Sequence, residues 1–299
     1  MHITDYFGLY KGHAALDFID IDVNGDTLLF LDPCLIERGT DPRSIEAALT
    51  IADFEDLLFD EMRNGNWHET DILDYAHEVH DIKLGYGTGR NGKGKTASGI
   101  RESFTHLYQL ANGIPTISEI QDLSVFVEDF AEDCLSDLLT NILRRLLHEF
   151  TAEQMTLLGK EPDGYRPIQY WDRFTHAWCI VEEPFWIING ERILLVPKNW
   201  VRKHFLFNAH RYLCSVIIDR IRRNDPGYAG MFKKDIHRNM ERTSEHWEYD
   251  AVIEHTYQDP YALDEYHDHM RRTYNKPSNS VTDDQLDQIV YRNSSRASA

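Results

Sequence analysis

The sequence predicts an α+β fold, and three stretches carry that prediction. Residues 135–158 place Leu135, Leu138, Leu139, Ile142, Leu146 and Leu147 on one side of a helix. Residues 167–196 break into short strand-like runs (177–181, 185–188 and 193–196), the last two joined by Asn189-Gly190, which reads as a β-meander. Residues 200–223 return to helical spacing with Phe205, Phe207, Leu213, Val216, Ile217, Ile218 and Ile221 among basic residues, giving a long basic helix after the meander. No alternating β/α pattern of a nucleotide-binding sheet follows any of these, so the elements point to α+β.

Taken in order, the chain opens with an N-terminal β-hairpin. Ile19, Ile21 and Val23 alternate with Asp20 and Asp22, Asn24-Gly25 supplies the tight turn, and residues 27–31 form the second strand. Asp32-Pro33 ends that strand because proline lacks a ladder donor, and residues 42–62 follow as a helix on Ile45, Leu49, Ala52 and Leu57. Residues 85–94 hold five glycines and cannot be regular structure, and 97–110 is the helix they feed. Asp133 is the expected N-cap of the central long helix. The polar residues after Pro277 read as a flexible tail. The division is therefore an acidic α+β lobe over 1–160 with the Gly-rich loop, a meander and basic helical lobe over 161–275, and a tail over 276–299, with the first two able to form one domain.

Composition bounds the function. The 299 residues are 42% hydrophobic, enough for a sizeable core, and no apolar run approaches the ~18–20 residues of a membrane span. Without a secretory signal at the start, a cytoplasmic location is expected. Cys34, Cys134, Cys179 and Cys214 contain no CxxC and read as reduced thiols. The net charge of −19 argues against a general nucleic-acid binder. The charge is uneven, however: residues 1–140 carry −18, whereas 192–242 carry a local +8. Such a segment, with Arg202, Lys203, Arg211, Arg222, Arg223, Lys233 and Lys234, suits a phosphate backbone. It equally suits pairing with the acidic half of its own chain or of a second copy.

The sharpest literal motif runs from Gly89 to Thr96. Gly89, Gly92, Lys93, Gly94, Lys95 and Thr96 match GxxxxGK[ST], in which backbone N–H groups and lysine hold phosphates. The preceding 81–88 stretch is polar and broken by glycine, unlike the buried strand of a P-loop, and 125–129 is a thin match to a Walker-B strand. Asp129, Asp133, Asp137 and Asn141 recur every four residues and would lie along one helix face, where oxygen ligands suit Mg²⁺ or Mn²⁺. Acids near a helix start also answer its dipole. Lys198 follows the strand 193–196 and Pro197, with Glu182 and Glu183 upstream. A lysine there, near a helical carboxylate, suits metal-assisted phosphodiester hydrolysis. His77-Glu78-Val79-His80 is one residue short of HExxH, and no nucleophile-elbow pattern surrounds Ser98 or Ser136.

The segments 30–36, 85–94, 133–142 (Asp133-Cys134-Leu135-Ser136-Asp137-Leu138-Leu139-Thr140-Asn141-Ile142) and 194–198 together resemble a family of uncharacterised bacterial proteins, over roughly residues 15–220. The resemblance implies that the four segments act as one unit and carries no catalytic assignment. The strand-end lysine resembles PD-D/ExK nucleases in outline, but Val196 stands where that pattern places an acid. The leading expectation is a metal-dependent nuclease-like protein acting on nucleic acid. In it Asp133, Asp137 and Asn141 hold Mg²⁺ or Mn²⁺, Asp137, Lys198 and Glu183 are catalytic, and the character of the family suggests bacterial defence. The alternatives are a P-loop-type nucleotide-binding protein or NTPase using Lys95 and Thr96, and a non-enzymatic module that docks a partner protein or a second copy.

Overall fold

The computed structural model describes residues 1–9, 12–65, 72–73, 75, 79–86, 97–128, 132–240, 242 and 244–291. The Gly89–Thr96 motif and Asp129 lie outside the described residues.

Aspartate followed by proline starts the first substantial helices. After one helical turn, α1 (Ile3–Tyr6), strand β1 (Phe30–Leu31) runs into Asp32, which accepts the Cys34 N–H at 3.0 Å and opens α2 (Pro33–Glu37). Asp41 does the same for α3 (Pro42–Asn64) through the Ser44 N–H at 3.0 Å, and Gly65 ends that helix at φ 75°, where a Cβ would be strained. The buried face of α3 is Ala47, Ile51, Phe54, Leu58 and Met62. The face expected from the sequence points outward, with Ile45 and Leu49 each 48% exposed. Both faces carry apolar residues, and the aromatic cluster of Phe54 with Trp171 and Trp178, ring centroids 5.1 and 6.0 Å away, decides between them.

The expected N-terminal hairpin is not formed. Ile19, Ile21 and Val23 are buried, but so is Asp20, whose carboxylate accepts the Thr4 N–H at 2.9 Å, the Thr4 hydroxyl at 2.6 Å and the Tyr291 hydroxyl at 2.8 Å. With both sides enclosed, the extended segment pairs with distant chain instead of its neighbour. The Ile19 N–H donates to the Val196 carbonyl, the Thr27 N–H to Lys83, and β1 runs antiparallel to β5 (Val201–Arg202). The alternation is real, and its polar member is satisfied inside the core.

Beyond α4 (Ala97–Ala111) and α5 (Leu123–Phe126), the expected central helix forms as two: α6 (Glu132–Ile142) and α7 (Arg144–Leu157), divided at Leu143. Asp133 falls in the first turn of α6 and not at its N-cap. The meander forms, in antiparallel order β2 (Gly164–Asp172), β3 (Ala177–Ile188) and β4 (Glu191–Ile193), with strand bounds that differ from those expected. β3 is one continuous strand, and residues 194–196 leave the sheet. Asn189 and Gly190 have φ of 53° and 86°, the positive pair of a type I′ turn. The basic helix starts nine residues later than expected. Val201–Arg202 is strand, and the helix runs through α8 (Ala209–Tyr212), a π-helical turn (Leu213–Ile217) and α9 (Ile218–Asn224).

Four further helices complete the described chain: α10 (Lys233–Asn239), α11 (Trp247–Gln258), α12 (Tyr261–Tyr274) and α13 (Asp283–Val290). The last lies in the stretch expected to be loose. Thr282 and Gln285 cap it reciprocally, and Leu286 and Val290 enter the core. Most of the buried hydrophobic residues form one cluster from Ile3 to Val290, drawing on the residue ranges of both expected lobes. No described helix is long and apolar enough to cross a membrane.

Arg202, expected on a nucleic-acid surface, is instead buried. Its guanidinium lies 3.5 Å from Asp32, donates to the Asn279 carbonyl at 2.7 Å and stacks over the Tyr274 ring at 5.0 Å. Asp32→Asn leaves that charge enclosed without its carboxylate and is expected to remove about 3–5 kcal/mol from the unfolding free energy in urea. The double variant Asp32→Asn/Arg202→Met should recover more than half of the loss. A loss in the double variant equal to the sum of the Asp32→Asn and Arg202→Met losses would show that the two side chains are not coupled.

Candidate phosphate-binding site

Three arginines from three elements converge on one aspartate. Asp81 sits in a 3₁₀ turn (His80–Ile82) fixed by the Leu194 N–H donating to the Asp81 carbonyl at 2.8 Å. Arg166 of β2 hydrogen-bonds the Asp81 carboxylate, Arg144 at the start of α7 lies 3.9 Å from it, and Arg192 of β4 lies 3.7 Å away. Among the described residues three guanidinium groups lie within 4 Å of this one carboxylate. Among the described residues, the buried Nε atoms of Arg144 and Arg166 have no hydrogen-bond partner. Burial, and then the nearby Arg166, hold Arg144 below the usual arginine value against the pull of Asp81.

His148 on α7 lines the same cluster and is 3% exposed. Its Nδ1 donates to the Pro184 carbonyl at 3.1 Å, and its Nε2 has no partner among the described residues. Burial pushes its pKa down to about 4, with Arg144 and Arg166 adding to the effect. The imidazole is therefore neutral, and the surplus charge is on the guanidinium groups. Arg144 and Arg166 are 12% and 20% exposed and Arg192 is 53% exposed, so the cluster is open on the Arg192 side. Partly desolvated guanidinium forks with unused donors suit the oxygens of a phosphate.

The chain leaves Asp81 toward the Gly-rich loop and passes the first turn of α6. Gly85 stands at φ 137°, and a Cβ there would come 2.7 Å from the Asp133 carboxylate. The Tyr86 hydroxyl hydrogen-bonds Glu132. The acidic start of α6 and the arginine cluster thus flank the same 81–86 segment. Asp137 is half-buried, and Asn141 is 1% exposed with its Nδ2 donating to the Asp137 carbonyl at 2.9 Å.

Other expected residues go elsewhere. The Lys198 ammonium donates to the His13 carbonyl at 2.6 Å and pairs with Asp283 at 2.9 Å, fastening α13 to the N-terminal segment. Glu183 faces Arg166 in β-register, but the charges acting on it are Glu149 and Arg145, and burial raises its pKa. Within the basic segment, Arg223 pairs with Glu265 at 3.0 Å and Lys233 with Asp219 at 2.6 Å. Among the described residues no carboxylate pairs with Lys203, Arg211, Arg222 or Lys234. The sequence reading missed Arg144 and Arg166 because neither lies in a basic run; their signal is only that each falls at an element facing Asp81.

The fold and this cluster define an α+β protein with, among the described residues, a surplus of arginine beside the 81–86 segment. The family described as a domain of unknown function (DUF8370) matches residues 8–208, and the chain belongs to it. The match overlaps the residues whose resemblance was read from the sequence and includes Asp81, Asp133, Arg144, Arg166 and Arg192. Neither the curated proteins nor the solved structures contain a match.

The depressed pKa of His148 makes a pH prediction. Its contribution to stability is complete above the ordinary value of 6.5 and is lost as pH falls through about 4, because the unfolded chain takes up a proton that the folded chain refuses. The expected loss over that window is on the order of 3 kcal/mol. Urea unfolding between pH 7 and 4 should show a slope about one proton shallower in His148→Gln. An unchanged slope would mean that His148 titrates normally.

Proposed function

We propose that the protein binds nucleic acid through its phosphates, with Arg144, Arg166 and Arg192 as the phosphate contacts beside the start of the Gly-rich loop. The observation that carries this reading is the charge imbalance: three guanidinium groups share one carboxylate, and two buried Nε atoms have no acceptor among the described residues. A bound phosphate supplies both the missing charge and the missing acceptors. A second basic surface supports a polymer as the ligand. Arg211, Lys233, Arg272 and Lys276 are close enough to His269 to lower its pKa together with burial, and among the described residues only Lys233 of the four has a carboxylate partner.

Metal-dependent cleavage is the second reading. It is favoured by Asp133, whose carboxylate lies against Gly85 on the other side of the same segment. In this reading Asp133 and Asp137 hold Mg²⁺ or Mn²⁺ and the arginines steady the phosphate. Lys198 has no part in it, since its ammonium is already committed to Asp283 and His13.

The test is fluorescence anisotropy with labelled single-stranded DNA, duplex DNA, RNA and ATP across a salt series, followed by incubation with Mg²⁺ or Mn²⁺. Arg192→Gln, at an exposed position, is expected to weaken nucleic-acid binding about tenfold and to reduce the salt slope by about one. Absence of binding to every polymer at low salt, or binding indifferent to Arg192→Gln and Arg166→Gln, overturns the proposal. Binding of ATP alone transfers the site to the nucleotide reading. Cleavage abolished by Asp133→Asn with binding retained would establish the second reading.

A further inference from the structure

Away from the arginine cluster, four side chains with metal-binding chemistry meet between three helices. His210 stands on α8, Cys214 one turn later in the π-helical turn, His237 on α10 and Glu248 on α11. One ligand atom from each of His210, Cys214 and His237 lies within 4.8 Å of the others. The His210 Nε2 and Cys214 Sγ are 3.8 Å apart. A tetrahedral ion with bonds of about 2.0 Å to nitrogen and 2.3 Å to sulfur places those two atoms about 3.5 Å apart, so this pair is close to ligating separation.

Glu248 organises the cluster from behind. Its carboxylate accepts from the His210 Nδ1 at 3.0 Å, which leaves the His210 Nε2 directed at the thiol. A carboxylate on the far nitrogen of a histidine is how metal-binding histidines are oriented. Glu248 also lies 3.1 Å from the His237 Nε2, joining the two rings through one group. The backbone provides an independent sign. The π-helical turn begins at Leu213, immediately before Cys214, and such turns recur at functional sites. The seven-residue α10 buries only Ile236, and His237 is positioned by an edge-on contact with the Trp247 ring, centroids 5.1 Å apart.

We infer that His210, Cys214 and His237 form a binding site for a borderline-soft divalent ion of the Zn²⁺ class, with Glu248 as the outer partner of His210. One thiolate and two imidazoles select zinc or cobalt over the oxygen-seeking Mg²⁺ and Ca²⁺. Three protein ligands leave a fourth position for water. The Lys233 ammonium, 3.5 Å from the Cys214 carbonyl and paired with Asp219, borders the site. Bound metal would clamp α10 and α11 onto α8. Its ligands are separate from the proposed phosphate contacts, since none of them belongs to the arginine cluster, although the bordering Lys233 is shared with the second basic surface.

The full chain, reduced and stripped by a chelator, is titrated with Co²⁺ and then with Zn²⁺ in competition. One equivalent of Co²⁺ is expected to produce the visible bands of a tetrahedral ion and a near-ultraviolet thiolate-to-metal charge-transfer band, and Zn²⁺ should bleach both while Mg²⁺ does not. Cys214→Ser should abolish the charge-transfer band, whereas Cys179→Ser, at the other half-buried thiol, should leave it intact. His237→Gln and Glu248→Gln, whose folding is checked by circular dichroism, should each weaken Co²⁺ binding at least ~10-fold. A wild-type protein without the charge-transfer band, a band that survives Cys214→Ser, or affinity unchanged in both His237→Gln and Glu248→Gln overturns the site. The readout uses metal spectra alone, so a failure to bind nucleic acid leaves it unaffected.

Discussion

Asp32 is the group on which the arrangement of the chain depends. It is 1% exposed, yet it caps α2 through the Cys34 N–H, accepts the Tyr274 hydroxyl at 2.7 Å and faces the Arg202 guanidinium. Its own N–H donates to the Trp200 carbonyl, next to the β1–β5 pairing. A single carboxylate therefore joins residues 32, 34, 202 and 274, and Arg202 extends the connection to Asn279, just ahead of α13. Burial raises the Asp32 pKa to about 6 against the opposing pull of Arg202. Retaining such a group costs desolvation, and what it secures is the placement of α12 and the C-terminal helix against an N-terminal segment with little regular structure.

That long-range character explains what the sequence could and could not disclose. Elements set by neighbouring residues were legible: helical spacing after Pro42 marks α3, Asn189-Gly190 closes β3 onto β4, and the leucines of 135–147 mark helix, though not its division at Leu143. Elements set by distant partners were not. Asp20 looks like the outward residue of a hairpin strand until Thr4 and Tyr291 are seen to enclose it. The pairing of Lys198, at a strand end, with Asp283 was equally invisible along the sequence. The inward face of α3 was undecidable from periodicity alone, because Trp171 and Trp178, more than a hundred residues away, select it.

Charge shows the same separation between sequence and space. The stretch 192–242 is densely basic, but Arg220 is spent on Asp259 and Glu265, Arg223 on Glu265, Lys233 on Asp219 and Arg202 on Asp32. A run of cations along the chain is thus in good part neutralised where it folds. The arginine surplus at Asp81 arises in the opposite way, from residues 144, 166 and 192 that no window along the sequence joins. A field strong enough to hold a phosphate against a net charge of −19 has to be local and partly desolvated, which is the condition met between α7 and the meander.

The family match ends at residue 208, one residue before α8 begins, and this boundary separates the arginine cluster from the His210/Cys214/His237 cluster. The arginine cluster, Asp133 and the start of the Gly-rich loop fall inside the match, on the meander and the α6–α7 pair. His210, Cys214, His237 and Glu248 fall after it, on helices that add to the same core through Tyr212, Ile217, Ile236 and Val252. The C-terminal helices therefore have two separable duties. Tyr274 and α13 complete the packing of the matched region through Asp32 and Asp20, whereas α8, α10 and α11 bring nitrogen and sulfur donors together without touching the arginines. The donors of the two clusters come from different elements, and the buried Asp32–Arg202 pair that closes the fold belongs to neither.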